Sequence, residues 1–509
     1  MKLLHNIIYL GLTFLVMSCV KDKTNYSLLD PEVITIEGFD GDYTILSGTD
    51  RFDIDPIVKS NDPNANFEYK WWIYEADVPG SFRIVDTIGH ERKLDYLVTQ
   101  PAKGWVLVFS VTNKNTKYTK HFTADVNIIT SFTRGWYVAK DDGTQADLDL
   151  FLTPENIIPD SKLENVYSLQ NGRKLQGKAQ LLSFFSNYRS EVTGVLGNTR
   201  TLFFVTDKDV SATYINTLKD LRDYNTLFYE PPAVKSPSLV ALGQSAIYMV
   251  NDGHCHSLYT LSANTGQFGV AKIRDDKNSP YQLSKYFYSW RNIDPYFFDQ
   301  TSSSFVSTTG TGAIITGIND IGLSNGRPQT EMSANKNNKT MLFMGFKTTA
   351  KAYAVFQDKT NQALKILTDI TPSKTAFKMD NDTLKVTDKL YNASNYTLLD
   401  GDENMLYFAV ANEIWSRNLS NKVEQRQFAL PAGEEVTFIR HRKYTEDVFS
   451  YNYVMVGTKV GNNYKIRMFT KASGNLSSSP AFTLEGTGVA RDVMYVSPVV
   501  NEFTYTPTF

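Results

Sequence analysis

The 509-residue chain carries 52 Lys and Arg residues against 54 Asp and Glu residues, which gives a formal charge of −2. A nearly neutral chain gives no support for nucleic-acid binding or for a basic membrane-binding face. Aromatic residues make up 13% of the chain, mostly Tyr and Phe, and they favour strands. Because the length exceeds the usual size of one hydrophobic core, we expect a β-rich chain with at least two domains.

The first 18 residues have the pattern of a secretory signal peptide. Lys2 is followed by a mostly apolar segment, residues 3–17, which is too short to span a bilayer comfortably. Residues 16–19 read Val-Met-Ser-Cys and resemble the bacterial lipobox, in which the cysteine accepts a diacylglyceryl group and the chain is cut before it. We therefore predict lipidation of Cys19. The alternative is an ordinary signal peptide, or an uncleaved anchor, with a chance cysteine.

Residues 19–30 are polar and charged, so we expect a solvated, flexible tether. Lys21 and Asp22 partly resemble the export signal that sends lipoproteins of Bacteroidota to the outer face of the outer membrane. We expect a lipid-anchored outer-membrane protein that is exposed at the cell surface. Cys255 is the second of two cysteines, so no intramolecular disulfide is expected in the mature fold.

Residues 31–130 have the pattern of a small β-sandwich. Short strand-like segments alternate with Asn, Asp, Gly and Lys turns, and the clearest are residues 33–36, 67–74, 104–112 and 120–129. About 100 residues of this kind fit an immunoglobulin-like sandwich. Neighbouring residues of a strand face opposite ways, so one of Trp71 and Trp72 should be in the core. The other should be exposed or at a contact, where stacking on a ligand is a second possibility.

Residues 131–509 repeat a pattern of apolar strands. Steps of 45, 49 and 45 residues separate Phe203, Tyr248, Phe297 and Leu342, and Tyr407 begins a similar series. A period of 40–50 residues with about four strands each is typical of a β-propeller. We predict a propeller-like domain of about seven blades. The strand at residues 493–496 should close the ring by joining the first blade.

The whole layout is similar to that of the PKD-like lipoproteins of Bacteroidota. The resemblance rests on the lipobox, the sandwich with residues 67–74 and 105–112, and the sequence Thr-Arg-Gly-Trp-Tyr-Val at 133–138 that opens the repeats. It implies a PKD-like domain followed by a propeller-like region. It also implies partnership with a SusC-like transporter and a SusD-like lipoprotein. The family offers no catalytic residues to carry over.

Motifs for metal binding or catalysis are weak throughout the chain. The sequence lacks HExxH, P-loop, GxSxG and GxGxxG motifs. His254 and His256 could share one side of a strand and bind a metal, and Asp141, Asp142 and nearby acidic residues could bind calcium. A turn explains both groups better, so we predict no metal and no cofactor. Carboxylate pairs for glycoside hydrolysis stay possible, because such partners can be distant in sequence.

The densest aromatic segment is Tyr286-Phe287-Tyr288-Ser289-Trp290. Tyr286, Tyr288 and Trp290 are our candidates for contact with a ligand or partner, with buried strand positions as the alternative. We therefore expect a non-catalytic accessory of a SusCD-type uptake system, which binds a glycan or peptide, the transporter, or both. The alternatives are a propeller-based glycoside hydrolase or peptidase, and a purely structural envelope protein.

Overall fold

The structure, a computed structural model, describes residues 31–76, 78, 84–192, 195–275 and 277–505. The predicted signal peptide, the tether and Cys19 lie outside these residues. Strand accounts for 55% of the residues and helix for 3%, so the prediction of an all-β chain is confirmed. The chain divides into two compact units between Ile128 and Ile129. No helix in the described ranges is long and apolar enough to cross a membrane.

The described part of the N-terminal unit contains nine strands. They are β1 (Ile34–Glu37), β2 (Asp42–Leu46), β3 (Arg51–Ile54), β4 (Ile57–Ser60), β5 (Phe67–Glu75), β6 (Val85–Gly89), β7 (Leu94–Leu97), β8 (Gly104–Asn113) and β9 (Thr119–Ile129). Strands β2, β9, β8, β5 and β6 form one sheet in that order, while β1 pairs with β4 and β3 with β7. Their inward side chains form a single apolar cluster that includes Trp71, Trp105 and Phe109.

The described part of the C-terminal unit contains seven sheets of three to five strands, built from successive segments of the chain. The first three sheets hold β10 (Gly135–Asp141), β11 (Gln145–Leu152), β12 (Ser161–Leu163) and β13 (Leu175–Gln176); β14 (Ala179–Val192), β15 (Val195–Thr206), β16 (Val210–Tyr214) and β17 (Asp220–Asp223); and β18 (Pro237–Gly243), β19 (Ala246–Asn251) and β20 (His254–Tyr259). The short helix α1 (Val166–Asn171) precedes β13.

The remaining sheets follow in the same way. The fourth holds β21 (Leu283–Trp290), β22 (Ile293–Asp299), β23 (Ser304–Ser307) and β24 (Thr316–Gly317), and a hairpin of β25 (Leu323–Ser324) and β26 (Arg327–Pro328) follows. The fifth and sixth hold β27 (Lys339–Thr348), β28 (Lys351–Asp358), β29 (Lys365–Thr371) and β30 (Lys378–Thr383); and β31 (Tyr396–Leu398), β32 (Met405–Val410), β33 (Glu413–Asn418) and β34 (Glu424–Ala429).

The seventh sheet holds β35 (Glu435–Tyr444), β36 (Tyr451–Val460), β37 (Asn463–Phe469) and β40 (Phe482–Thr487), with a hairpin of β38 (Lys471–Ala472) and β39 (Asn475–Leu476) between the last two. The last strand, β41 (Val489–Val496), pairs antiparallel with β10 and so belongs to the first sheet. The predicted pairing of residues 493–496 with the start of the repeats is therefore observed. Single 3-10 turns lie at Ser131–Thr133, Lys389–Asn392 and Asp447–Phe449.

The sheets have a closed order, which means that each sheet contacts the next and the last contacts the first. The first strands β14, β18, β21, β27, β31 and β35 each contact the next one, and β41 contacts both β35 and β14. Buried apolar clusters lie between neighbouring sheets, including one that joins the seventh, first and second sheets. Because both faces of most sheets are covered, their strands are apolar on both sides rather than alternating.

One of the repeat markers is misplaced in the predicted pattern. Phe203, Tyr248, Phe297 and Tyr407 lie in the second strands of their sheets, but Leu342 lies in a first strand, β27. The prediction that Leu342 is equivalent to the others was wrong. The segment with the hairpin β25–β26 is inserted before β27. It lengthens the spacing between the second strands of the fourth and fifth sheets, so that a residue of a first strand fell at the expected position.

Candidate functional site

An inner cavity lies among the first strands of the C-terminal unit. Its walls come from β14, β18, β21, β35 and β41, and most of the lining is apolar. The lining combines aromatic and apolar side chains with a few charged ones: Phe184, Phe185, Val240, Phe287, Trp290, Phe503 and Tyr505, and Arg291, Arg440, Arg442, Asp492 and Glu502. These strands bring together residues that are far apart in the sequence, and the closed order of the sheets makes this possible.

Two arginines and one aspartate form an ion cluster in the wall of the inner cavity. Asp492 has a 1% exposed side chain, and its two carboxylate oxygens lie 3.3 Å from Arg440 Nε and 3.3 Å from Arg442 Nη2. The backbone N–H of Leu182 also donates to Asp492, at 2.9 Å. Burial lowers the pKa of Arg440, Asp492 counteracts this effect, and Arg442 adds to it. Two guanidinium groups therefore face the one carboxylate of Asp492.

The C-terminal segment lies against one end of the inner cavity. Glu502 accepts hydrogen bonds from the backbone N–H of Ser186 at 3.0 Å, from the Ser186 hydroxyl, and from Asn187 Nδ2 at 3.0 Å. Burial opposes ionisation of Glu502, but these hydrogen bonds outweigh it and lower the pKa. The Tyr505 hydroxyl donates to the Tyr495 carbonyl at 2.8 Å. Side chains 502, 503 and 505 thus form part of the cavity wall.

A second opening lies at the other end of the same strands. Along β14, β21, β35 and β41, the residues that line this opening come before those that line the inner cavity. Arg440 lines both. We call this opening the cationic mouth, defined by Lys178, Lys285, Tyr286, Tyr396, Arg440 and Arg491. The described lining of the mouth includes no acidic side chain.

Lys285 shows how confined the cationic mouth is. Its side chain is exposed to solvent, yet its pKa is lowered from 10.5 to about 8. The main cause is desolvation by the surrounding protein, and the positive charge of Arg440 adds to it. The Lys285 ammonium also lies 5.3 Å from the centre of the Tyr286 ring. Lys285 is therefore accessible to water and yet surrounded by enough protein to disfavour its ammonium form.

The aromatic candidates of β21 separate into two groups. Tyr286 is half-buried at the cationic mouth, and Trp290 is half-buried in the wall of the inner cavity, where its ring stacks on Phe346 at 5.5 Å. Tyr288 is 1% exposed and donates its hydroxyl to the carbonyl of Thr348 at 3.1 Å. Tyr288 is therefore a core residue that offers no surface to a ligand.

The paired tryptophans of the N-terminal unit separate in a similar way. Trp71 is fully buried against Phe109, with ring centroids 4.1 Å apart, and offers no surface to a ligand or partner. Trp72 is half-buried on the opposite face, where its indole N–H donates to Ser110 Oγ at 3.0 Å. Its ring also packs at 5.5 Å from that of Tyr74. Trp72 thus keeps some exposed surface.

The histidine pair has a structural explanation. Asp252 and Gly253 have positive φ angles of 48° and 68° and form the turn between β19 and β20. His254 donates from Nδ1 to the Asp252 carbonyl at 2.7 Å, and His256 donates from Nδ1 to the Gly269 carbonyl at 2.9 Å. Between them, Cys255 is buried, which raises the pKa of its thiol to about 12.

The acidic candidates of the first sheet are also held by protein partners. Asp141 bonds Arg491 at 2.9 Å, and Asp149 bonds both Lys140 and Tyr464 at 2.7 Å. The Asp142 carboxylate accepts hydrogen bonds from the backbone N–H of Gln145 and from the backbone N–H and hydroxyl of Thr144. These bonds, that of Gln145 most of all, lower the pKa of Asp142 to about 2. Among the described residues, no group of three or more His, Cys, Asp or Glu side chains could hold a metal ion.

Sequence reasoning missed most of this site. Lys285 lies next to the predicted Tyr286, and a lysine inside an otherwise aromatic strand was an available signal. Arg440, Arg442 and Asp492 gave no such signal, because only the closed order of the sheets brings them to β14 and β21.

Residues 19–179 match the model of the PKD-like family, which supports the resemblance over these residues. No curated protein matches the sequence. Among solved structures, a quinonprotein alcohol dehydrogenase-like protein from Bacteroides thetaiotaomicron is 12% identical with a TM-score of 0.37, covering 92% of this chain and 100% of that one.

Two further solved structures come from related sources. A DUF4784 family protein from Bacteroides caccae is 9% identical with a TM-score of 0.26, covering 80% of this chain and 97% of that one. PorZ, a surface component of the type-IX secretion system of Porphyromonas gingivalis, is 10% identical with a TM-score of 0.28, covering 81% of this chain and 51% of that one. At these values the three likenesses carry no argument about activity.

Proposed function

We propose that this protein is a surface-exposed lipoprotein that binds a glycan or peptide ligand for a SusCD-type uptake system and does not transform it. In this proposal the seven sheets are the blades of a β-propeller, and the ligand enters the inner cavity. Cys19 anchors the chain in the outer membrane through lipid, and the partners are a SusC-like transporter and a SusD-like lipoprotein.

The inner cavity with its cationic mouth is the observation that carries the proposal. Ligand sites are concave, mostly apolar, and carry a few convergent polar groups. The inner cavity has apolar walls, a half-buried Trp290, and a cluster of Arg440, Arg442 and Asp492. This combination suits a ligand with an apolar face and polar or charged substituents.

The carboxylates of the inner cavity favour binding over hydrolysis. Glycoside hydrolysis needs two carboxyl groups, one of which stays protonated to donate to the leaving group. Asp492 instead accepts from Leu182 and faces two guanidinium groups. Glu502 has a lowered pKa because hydrogen bonds from Ser186 and Asn187 outweigh its burial. Glu502 is therefore poorly suited to donate a proton. A hydrolase or peptidase is the second candidate, since propellers do host such chemistry.

Affinity purification from solubilised outer membranes tests the partnership. The full-length chain carries the tag, and the Cys19→Ala variant is the matched control, because it removes only the proposed anchor. The proposal predicts that a SusC-like transporter and a SusD-like lipoprotein are recovered with the tagged chain and are depleted with Cys19→Ala. Their absence from both samples, with the tagged chain itself recovered, would contradict the partnership.

A further inference from the structure

We propose that a further pocket of the C-terminal unit binds the hydroxyl groups of a neutral oligosaccharide. We call this pocket the outer basin and define it by Arg189, Asn198, Gln244, Arg291, Asn292 and Phe503. The inference rests on the proposed function, because it takes the chain to be a ligand-binding protein. It adds a site for the ligand and selects a glycan over a peptide.

The position of the outer basin beside the inner cavity is the first argument. Its lining comes from the hairpin of β14 and β15, the turn between β18 and β19, the segment after β20, the turn between β21 and β22, and the C-terminal segment. The residues that line both the outer basin and the inner cavity are Phe185, Leu242, Arg291, Glu502 and Phe503. The two sites are therefore neighbours, within reach of one oligosaccharide.

An arginine without a protein partner is the second argument. Arg189 is half-buried, and its Nε is buried with no hydrogen-bond partner among the described residues. It lies directly opposite Asn198 across the β14–β15 pair, so the two side chains stand on one face. The carboxylate in the described lining, that of Glu502, is bonded to Ser186 and Asn187 instead. Because buried donors normally have a partner, Arg189 points to a ligand.

The side-chain amides of the outer basin are the third argument. Asn198, Gln244 and Asn292 are exposed, and no hydrogen bond within the described part of the chain engages their amide groups. Each amide offers two N–H donors and a carbonyl acceptor. A sugar hydroxyl is likewise both a donor and an acceptor, so neighbouring hydroxyls of one ring can pair with such groups without carrying any charge.

Phe503 adds an apolar surface next to these polar groups. It is 41% exposed, and the guanidinium carbon of Arg291 lies 5.4 Å from the centre of its ring. The C–H face of a sugar ring can pack on an aromatic ring while the hydroxyls at its rim reach polar side chains. Phe503 and the amides therefore suit the two kinds of surface that a sugar presents.

The lining favours a neutral oligosaccharide over a peptide or an acidic sugar. An extended peptide is usually bound through backbone hydrogen bonds along a free strand edge. The outer basin is built mainly from turns and strand ends, and the backbone N–H of Ser186 beside it is already bonded to Glu502 at 3.0 Å. The negative charge of Glu502 also offsets one of the two guanidinium charges, so the lining does not select strongly for an acid.

An array of neutral oligosaccharides, acidic oligosaccharides and short peptides, probed with the purified full-length chain, tests the inference. Titration calorimetry then measures the strongest binder against Arg189→Met and Gln244→Ala. The matched controls are Arg327→Met and Gln362→Ala, because both residues are exposed and lie outside the lining of the outer basin. Thermal unfolding of each variant verifies its fold.

We expect a neutral oligosaccharide to be the strongest binder. Arg189→Met and Gln244→Ala should each raise its dissociation constant about tenfold, which corresponds to about 1.4 kcal/mol, whereas the two controls should leave it unchanged. Strongest binding of an acidic oligosaccharide or a peptide, or unchanged binding by either folded variant, would overturn the inference alone as long as binding still needs Trp290. Binding of no array compound by the wild type would overturn the proposed function as well.

Discussion

Lys285 in β21 has a lowered pKa in the folded chain. Its pKa of about 8 means that desolvation and Arg440 disfavour the ammonium in the folded chain. The sequence named Tyr286, Tyr288 and Trp290 of β21 as candidates for contact, with buried strand positions as the alternative, and Tyr288 is buried. Because neighbouring sheets cover β21 from both sides, Tyr286, Tyr288 and Trp290 have no simple alternation that would separate the buried ring from the accessible ones.

We predict that Lys285→Met raises the melting temperature at pH 7. The folded-state pKa of Lys285 lies below the ordinary value of 10.5, so the unfolded chain binds its proton more tightly than the folded chain does. The wild type therefore gains stability as the pH rises from about 8 towards 10.5, and the advantage of Lys285→Met should shrink over that range. Scanning calorimetry at several pH values measures this effect. A lower melting temperature for Lys285→Met at pH 7 would show that the ammonium stabilises the fold.

At the scale of elements, β41 joins the two ends of the C-terminal unit. It pairs with β10 over residues 135–141 and packs against the second and seventh sheets. The apolar pattern at residues 493–496 was sufficient to predict this strand, because buried strands are runs of apolar residues. The segment 501–505 was not predicted, since its polar and aromatic residues follow neither a helical nor a strand period.

Truncation of Tyr495 should destabilise the C-terminal unit strongly. The side chain is fully buried and packs against Trp136 at 5.1 Å and against Tyr444 at 5.7 Å. Tyr495→Ala should lower the free energy of unfolding by about 3–5 kcal/mol, as is usual for a buried large aromatic side chain. Tyr229→Ala is the control, because Tyr229 is 60% exposed, and it should change stability by about 0.5 kcal/mol or less. Chemical denaturation compares the two, and similar losses would contradict the assigned role of β41.

Removal of the Glu502 carboxylate should loosen the segment that lies against the inner cavity. Glu502→Ala deletes its hydrogen bonds with Ser186 and Asn187, each worth about 1.5–3 kcal/mol when one partner is charged. Amide hydrogen exchange of residues 501–505 should then become about tenfold faster or more, while exchange in β5 of the N-terminal unit should not change. Unchanged exchange in residues 501–505 would mean that other contacts hold the segment.

For the whole molecule, the recurrence of strands every 40–50 residues made the succession of similar sheets predictable. The site was not predictable from that recurrence. Arg440, Asp492 and Lys285 belong to different sheets, and their proximity depends on the closed order of first strands. The short insertion before β27 also displaced one marker, because length variation between repeats hides equivalent positions.

The Cys19→Ala variant tests the proposed attachment of the whole molecule to the membrane. Lipid on the cysteine gives stable attachment without a spanning helix, so Cys19→Ala should move the protein from the membrane fraction to the soluble fraction. The fold of the two described units should be unchanged by circular dichroism. Retention of Cys19→Ala in detergent-free membranes would contradict lipid anchoring, provided that the signal segment is shown to be cleaved.

Incubation of the purified full-length chain with a pool of glycans and peptides tests the central claim most directly. Mass spectrometry of the bound and free fractions records both binding and turnover. We predict that a ligand is recovered chemically unchanged, that Trp290→Ala abolishes its binding, and that Trp415→Ala, which alters a half-buried tryptophan outside the cavity lining, does not. Release of a cleaved product that is lost in Asp492→Asn, or binding that survives Trp290→Ala, would contradict a non-catalytic binding role for the inner cavity.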